Sequence, residues 1–110
     1  MELIYKNNKL EKTLTNKKEI VKAYGQRAKK IKQRLDDLKA AGSLYDLTLI
    51  PQANFHILKG SKRNEFAVDV SKNFRLVFVS AIMPLPLTDQ NSIDLKIIDK
   101  VKIINIKDYH

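Results

Sequence analysis

The sequence contains no cysteine, only two histidines and no apolar run long enough to cross a membrane. Without cysteine, neither a disulfide nor a zinc–thiolate site can form. His56 and His110 are too few for a multi-histidine metal site, so we expect no metal and no cofactor. A membrane-spanning helix needs about 20 apolar residues, and the N-terminus lacks the basic and apolar segments of a signal peptide. These absences predict a cytoplasmic protein that is not bound to a membrane.

The chain has 110 residues, of which 44% are hydrophobic, and it has no internal repeat. This length and composition predict one globular domain that spans residues 1–110. The net charge is +9 and is unevenly distributed, with 12 Lys/Arg against 5 Asp/Glu in residues 1–41 and 9 against 7 in residues 42–110. A basic half favours a polyanionic partner, nucleic acid first. The alternative is a solvated helical face that serves only solubility.

The N-terminal region reads as a strand followed by capped helices. Glu2–Tyr5 is a short apolar strand, and Asn7-Asn8 can cap a helical turn through Leu10 and Leu14. Thr15-Asn16 offers a second N-cap, and Glu19 lies three residues after Asn16, in the capping-box position. Gly25 supplies the stop signal for the helix that Asn16 opens.

The next segment has the clearest helical periodicity of the chain. Ala28, Ile31, Leu35 and Leu38 follow one another at spacings of three, four and three, which places them on one side of a helix. Gly42 marks the expected end. We expect this helix and the preceding one to form a hairpin that packs its apolar stripe on a sheet.

The second half of the chain alternates with period two, which is typical of strands. The strands expected there are Phe55–Lys59, Phe66–Ser71, Arg75–Ser80 and Val101–Ile106. Because the first three are joined by short connections, they should form an antiparallel meander. The predicted fold class is α+β, with an N-terminal strand and two helices packed on a mostly antiparallel twisted sheet of four to five strands.

The segment 81–99 interrupts this pattern because it contains Pro84 and Pro86, which do not fit a regular strand. We expect a surface loop, longer than a minimal hairpin connection. Its last part, Ile93–Asp99, is compatible with either a turn or a strand.

Polar residues from three predicted strands are candidates for one site. If the meander forms and the last strand joins the sheet, they can converge on one concave face. They are His56, Lys59, Arg75, Asp108, Tyr109 and His110. Lysine and arginine can stabilise charge on a phosphate oxygen, a histidine or carboxylate can move protons, and a tyrosine can stack on a base. Each residue also has a simpler interpretation, as a surface cation, a half-buried strand residue or a solvated chain end.

Several short motifs, in this order and spacing, resemble the HigB toxins, which are RelE-like proteins of bacterial toxin–antitoxin modules. The similarity covers nearly the whole chain. The motifs are Tyr24-Gly25, Ala28-Lys29-Lys30-Ile31, Arg34-Leu35, Leu38, Ala40-Ala41, Leu44-Tyr45-Asp46-Leu47, Pro51, His56-Ile57-Leu58-Lys59-Gly60, Phe74-Arg75-Leu76-Val77-Phe78 and Asp108-Tyr109-His110.

The resemblance implies a RelE-like fold and metal-independent cleavage of mRNA in the ribosomal A site. The ribose 2′-hydroxyl attacks the adjacent phosphate and leaves 2′,3′-cyclic phosphate and 5′-hydroxyl ends. It implies that Lys59 contacts the scissile phosphate and that Arg75 stabilises the transition state. The remaining active-centre residues would be His56, Asp108, Tyr109 and His110, with His110 as the proton-transfer group.

The resemblance also implies an antitoxin partner of the HigA type, a helix-turn-helix DNA-binding protein. We expect contacts to ribosomal RNA from five basic residues, namely Lys29, Lys30, Lys32, Lys62 and Arg63. Two alternatives stay open. One is a ParE-like gyrase inhibitor with the same fold and no nuclease activity, and the other is a degenerate module that only binds the antitoxin.

Overall fold

The computed structural model describes residues 1–60 and 64–108 and contains a five-stranded sheet in the order β1-β5-β4-β3-β2. The strands are β1 (Glu2–Tyr5), β2 (His56–Ile57), β3 (Phe66–Asp69), β4 (Phe74–Ser80) and β5 (Lys100–Asp108). The helices are α1 (Asn8–Thr15), α2 (Lys17–Tyr24), α3 (Ala28–Ala40) and α4 (Leu44–Leu47), with 3₁₀ turns at Gly25–Arg27 and Pro51–Ala53. The expected α+β class is therefore confirmed. Within the described residues, no helix is long and apolar enough to span a membrane.

The N-terminal helices begin where the sequence predicts caps. The side-chain oxygen of Asn7 accepts a hydrogen bond from the backbone N–H of Leu10 at 2.8 Å. The side-chain oxygen of Asn16 accepts from Lys18 at 2.9 Å and from Glu19 at 3.1 Å. Asn16 is also the C-cap of α1, so it separates two short helices.

The apolar stripe of α3 lies on the sheet, as its spacing predicts. Ile31 and Leu38 are fully buried, and they belong to the same core as Phe66 and Phe78 of the central strands. The helix ends at Ala40, two residues before the predicted stop. At that end, the N-terminal ammonium group donates hydrogen bonds to the carbonyl oxygens of Leu38, Lys39 and Ala41. A positive group there complements the helix dipole.

The predicted meander is confirmed, since β2 pairs antiparallel with β3 and β3 pairs antiparallel with β4. The last strand joins the sheet between β4 and β1, antiparallel to the first and parallel to the second. All four strands predicted for the second half differ in their bounds from the structure. Phe55–Lys59 narrows to His56–Ile57 and Phe66–Ser71 narrows to Phe66–Asp69, whereas Arg75–Ser80 begins one residue earlier, at Phe74, and Val101–Ile106 extends to Lys100–Asp108. The long β5 therefore pairs with β4 over the whole length of β4.

The segment 81–99 is more than a surface loop. Its second half contains a turn and packs on α4, where the backbone N–H of Leu44 donates to the carbonyl of Ile98 at 3.0 Å, and that of Tyr45 donates to Leu95 at 3.2 Å. Ile98 is fully buried. The segment thus satisfies the free N–H groups of a one-turn helix and completes the core beneath it.

Two half-buried tyrosines lie near the N-terminal helices. Burial raises the pKa of both phenols above 10.0. For Tyr5, the nearby carboxylate of Glu11 adds a smaller upward shift of the pKa. Folding therefore favours the protonated phenols. Their contribution to stability is complete below pH 10 and is lost as the pH rises through the raised values.

Candidate functional site

A depression of about 570 Å³ lies on the sheet face that the helices leave open. Side chains alternate between the faces of a strand, so Arg75 lies opposite its core neighbour Leu76. The lining consists of His56, Ile57, Leu58, Lys59, Gly60, Glu65, Arg75 and Lys107. Three of the six residues predicted to form the active centre, His56, Lys59 and Arg75, thus share one depression.

The depression is predominantly basic. Arg75 on β4 is the register partner of Lys107 on β5, so both side chains lie on the same face of the sheet. Lys59 follows the short strand β2, and Glu65 is the one carboxylate in the described lining. Three cations against one carboxylate make this a favourable place for an anion such as a phosphodiester.

The His56 ring is oriented by a backbone contact. Its Nδ1 lies 2.7 Å from the carbonyl oxygen of Asn54. Because a carbonyl can only accept, Nδ1 carries the proton, and in the neutral ring Nε2 is the basic nitrogen. Nε2 is buried, and no group among the described residues forms a hydrogen bond with it. Nε2 is therefore a basic nitrogen whose lone pair has no hydrogen-bond partner in the described part of the chain.

Arg75 is paired with the carboxylate of Asp69 at the end of β3. The distance from Nε of Arg75 to Oδ1 of Asp69 is 3.7 Å, and each side chain is about one-third exposed, at 34%. The other carboxylate oxygen of Asp69 accepts a hydrogen bond of 2.9 Å from the side-chain amide of Asn54. This ion pair partly neutralises the guanidinium group and restrains it near the first residues of β4.

The predicted terminal residues are only partly described. Asp108 is exposed at the end of β5 and pairs in register with Phe74, one position beyond the Arg75–Lys107 pair. It is therefore on the alternate face, and it is absent from the described lining of the depression. Tyr109 and His110 lie outside the described residues.

The basic residues expected to contact ribosomal RNA divide into two sets. Lys29, Lys30 and Lys32 are exposed on α3, whose opposite side packs on the sheet. They lie across the sheet from the depression, so they can contact a different part of a large partner. Lys62 and Arg63 lie outside the described residues.

The structure adds four residues that the sequence analysis did not single out, namely Asn54, Glu65, Asp69 and Lys107. The alternation in β3 indicates that Asp69 faces away from the core, but not that Arg75 lies opposite it. Asn54 has a left-handed backbone, with φ 47°, and asparagine tolerates that conformation. That preference of asparagine is the sequence signal for a turn at this position. The place of Lys107 in the site depends on the register between β4 and β5, which are distant in sequence.

A family model described as the RelE-like toxin of the type II toxin–antitoxin system HigB matches residues 3–82. The match covers well over half of the chain. It includes His56, Lys59 and Arg75 but ends before β5 begins. The part of the site that β5 contributes therefore depends on the structure alone.

The structure is similar to that of a YoeB/ParE toxin from Agrobacterium tumefaciens, with a TM-score of 0.53 and 11% sequence identity. The similarity covers 100% of both chains. At this identity, the likeness supports the fold only. No curated protein matches the sequence.

Proposed function

The chain belongs to the HigB-like toxin family, and from this membership and its basic depression we propose that it is a ribosome-dependent mRNA endoribonuclease. As a toxin of a type II toxin–antitoxin system, it has an antitoxin as partner. The observation that carries the proposal is that His56, Lys59 and Arg75 line one depression. Histidine together with two cations is a suitable set for the cleavage of a phosphodiester.

In the proposed reaction, the ribose 2′-hydroxyl oxygen attacks the adjacent phosphorus, and the bond from phosphorus to the 5′-oxygen breaks. A base removes the proton from the 2′-hydroxyl, and an acid returns a proton to the leaving 5′-oxygen. The products are a 2′,3′-cyclic phosphate and a 5′-hydroxyl. The nucleophile belongs to the substrate, so the protein needs to supply only proton transfer, charge stabilisation and orientation.

The roles follow from position and chemistry. Lys59 contacts the scissile phosphate, and Arg75 stabilises the charge that develops on its non-bridging oxygens, with Lys107 as a third cation beside them. We assign the role of proton acceptor to Nε2 of His56, since Nδ1 donates to the carbonyl of Asn54 and Nε2 is the basic nitrogen of the neutral ring. We assign the second proton-transfer role to His110, at the chain end that follows β5.

We also assign Asp108 and Tyr109 to the active centre, from the family resemblance alone, since Asp108 lies outside the described lining of the depression. Tyr109 can stack on a base or bond to a phosphate. The substrate is mRNA in the ribosomal A site, so the protein acts in the cytoplasm. The proposed antitoxin is a HigA-like helix-turn-helix protein.

The direct test uses purified protein, purified ribosomes and a defined mRNA. We expect cleavage only when ribosomes are present, with cyclic phosphate at the upstream ends. The downstream fragments should accept a labelled phosphate from a kinase without prior phosphatase treatment, because their 5′ ends carry a hydroxyl. Intact mRNA together with growth arrest and a DNA-damage response would instead favour a ParE-like gyrase inhibitor. Absence of any arrest on expression would favour a degenerate antitoxin-binding module.

We also propose that the exposed lysines of α3, with Lys62 and Arg63, contact ribosomal RNA. Replacing Lys29, Lys30 and Lys32 with glutamate should weaken ribosome binding, since each lost phosphate contact reduces the slope of log K against log salt by about 0.7–0.9. For three contacts, the slope should flatten by roughly 2–3. Sedimentation with ribosomes at several salt concentrations measures this change.

The matched control reverses three other exposed lysines on α1 and α2, so that the net charge changes equally. These are Lys9, Lys12 and Lys22. A smaller change in the slope is expected for the control. Equal slopes in the two triple variants would show that the α3 lysines contribute only to general charge and solubility.

A further inference from the structure

A continuous run of contacts joins Arg75 to His56. Arg75 Nε lies 3.7 Å from Oδ1 of Asp69, and Oδ2 of the same carboxylate accepts a hydrogen bond from Nδ2 of Asn54 at 2.9 Å. The carbonyl oxygen of Asn54 then accepts from Nδ1 of His56 at 2.7 Å. Two groups of the proposed active centre are thereby linked through two residues outside the described lining of the depression.

This run is anchored to the helical layer by a buried arginine. Arg34 is 6% exposed, and its Nε donates to the carbonyl oxygen of Asp69 at 2.8 Å. Its Nη2 donates to the carbonyl oxygen of Gln52 at 3.1 Å, and its Nη1 is paired with Asp37 at 2.9 Å. One guanidinium group therefore holds the backbone at Asp69 and the backbone two residues before Asn54. Arg34 thereby ties the Asp69 backbone and the 3₁₀ turn that precedes Asn54 to α3.

We propose that Asp69 and Asn54 are positioning residues of the active site, which set the orientations of Arg75 and His56 relative to each other. This inference rests on the proposed nuclease function. A free arginine side chain has high rotational freedom. The ion pair between Nε of Arg75 and Oδ1 of Asp69 restricts that freedom before RNA binds. The turn at Asn54 holds the His56 ring with Nδ1 protonated, so that Nε2 is the basic nitrogen. A displacement of about 1 Å in such a group can cost roughly 100-fold in rate.

The backbone at Asn54 permits a selective test. Its left-handed φ of 47° is accessible to glycine without strain, so Asn54→Gly removes the side-chain link to Asp69 and keeps the turn. Asn91 is the matched control, because it also has a left-handed φ, 62°, and lies in the segment 81–99, outside the described lining of the depression. We expect Asn54→Gly to lower the single-turnover cleavage rate on ribosomes by about 10-fold or more. Ribosome affinity should be unchanged, and Asn91→Gly should cleave at the wild-type rate.

A second variant tests the other half of the link. Asp69→Asn keeps an oxygen that can accept from Asn54 and removes the charge beside Arg75. Its cleavage rate should also fall by about 10-fold or more, whereas Asp69→Glu, which restores the charge, should recover part of the loss. If both Asn54→Gly and Asp69→Asn cleave at the wild-type rate in a preparation where the wild type is active, the positioning role is wrong.

A readout that is independent of cleavage separates this proposal from the proposed function. Nitrogen-15 NMR of the His56 ring should show the Nδ1–H tautomer in the wild-type protein and in Asn91→Gly. Asn54→Gly keeps the backbone carbonyl that accepts from Nδ1, so its ring should keep this tautomer. The order of the Arg75 Nε–H, measured by its heteronuclear NOE, should instead fall in Asn54→Gly and in Asp69→Asn, because the carboxylate beside it has lost its second hydrogen bond or its charge. Loss of this order supports positioning even if the wild type proves inactive on mRNA, which would overturn only the nuclease function. An Arg75 Nε–H that is equally ordered in the wild type and in both variants would overturn the positioning role.

Discussion

Replacing Arg75 with alanine should lower mRNA cleavage by roughly 100- to 1,000-fold, because removal of one preorganised donor from a developing oxyanion has that order of effect. The guanidinium lies in the depression with Lys59 and is held by Asp69. Rates of single-turnover cleavage on programmed ribosomes measure the loss. Relief of growth arrest on expression without the antitoxin should accompany it. Arg75→Lys should retain part of the activity, since it keeps the charge but not the two-donor geometry.

The fold should tolerate the Arg75 substitution. The ion pair with Asp69 is partly exposed and 3.7 Å long, and such pairs contribute about 1 kcal/mol or less to stability. The control is Lys102→Ala, which removes an exposed cation from β5 beside the neighbouring groove, outside the described lining of the depression. This variant should cleave at nearly the wild-type rate. Full toxicity of a folded Arg75→Ala protein would show that the site has been placed wrongly.

Local signals in the sequence predict much of the helical part of this fold. The caps at Asn7 and Asn16 and the apolar stripe of α3 depend on residues two to four positions apart, and the structure confirms them. The meander is also local, because short turns leave few ways to pair consecutive strands. Such features need no knowledge of distant partners.

The position of β5 in the sheet does not follow from local signals in the sequence. It lies between β4 and β1, so its neighbours are distant in sequence and one of them is parallel to it. Its register depends on a bulge at Val77/Phe78, and a shift of one residue would exchange the faces of Lys107 and Asp108. Alternation alone therefore suggested a set of polar residues, but not which of them shares a face with Arg75.

The segment 81–99 shows a related limit of local reasoning. Its prolines argue correctly against a regular strand, yet they carry no information on what the segment packs against. Ile98 is buried because the segment turns back to α4 and provides acceptors for Leu44 and Tyr45. Burial here is a property of the assembled fold.

The same distinction applies to Arg34, whose burial does not follow from local sequence signals. It lies between apolar positions of α3, where an arginine is expected to extend to solvent, and yet it is buried. Burial of a charge is favourable only when its donors are satisfied, and here the satisfying carbonyl groups belong to Asp69 and Gln52. Arg34 therefore links the helix layer to the two segments that carry the proposed positioning residues.

Replacing Arg34 with methionine should lower the free energy of unfolding by about 3 kcal/mol. The apolar stem is retained, but two carbonyl groups and the mostly buried carboxylate of Asp37 lose their partner. Urea denaturation followed by circular dichroism measures this change. The melting temperature should fall by roughly 10–20 °C for a domain of this size. Lys30→Met, at an exposed position of the same helix, should change stability by less than about 0.5 kcal/mol.

A second substitution separates the lost hydrogen bonds from the unpaired charge. In the Arg34→Met variant, Asp37 remains as a carboxylate whose side chain is 17% exposed; it keeps the hydrogen bond from the Gln33 amide at 3.1 Å but has lost its positively charged partner. Replacing Asp37 with leucine in that background should therefore restore part of the stability, whereas the same change in the wild type should reduce it. Opposite signs in the two backgrounds would identify charge compensation as the main contribution of the pair. Equal stability of Arg34→Met and Lys30→Met would instead mean that the buried guanidinium contributes little, and that packing of α3 on the sheet is sufficient to hold Asp69 in place.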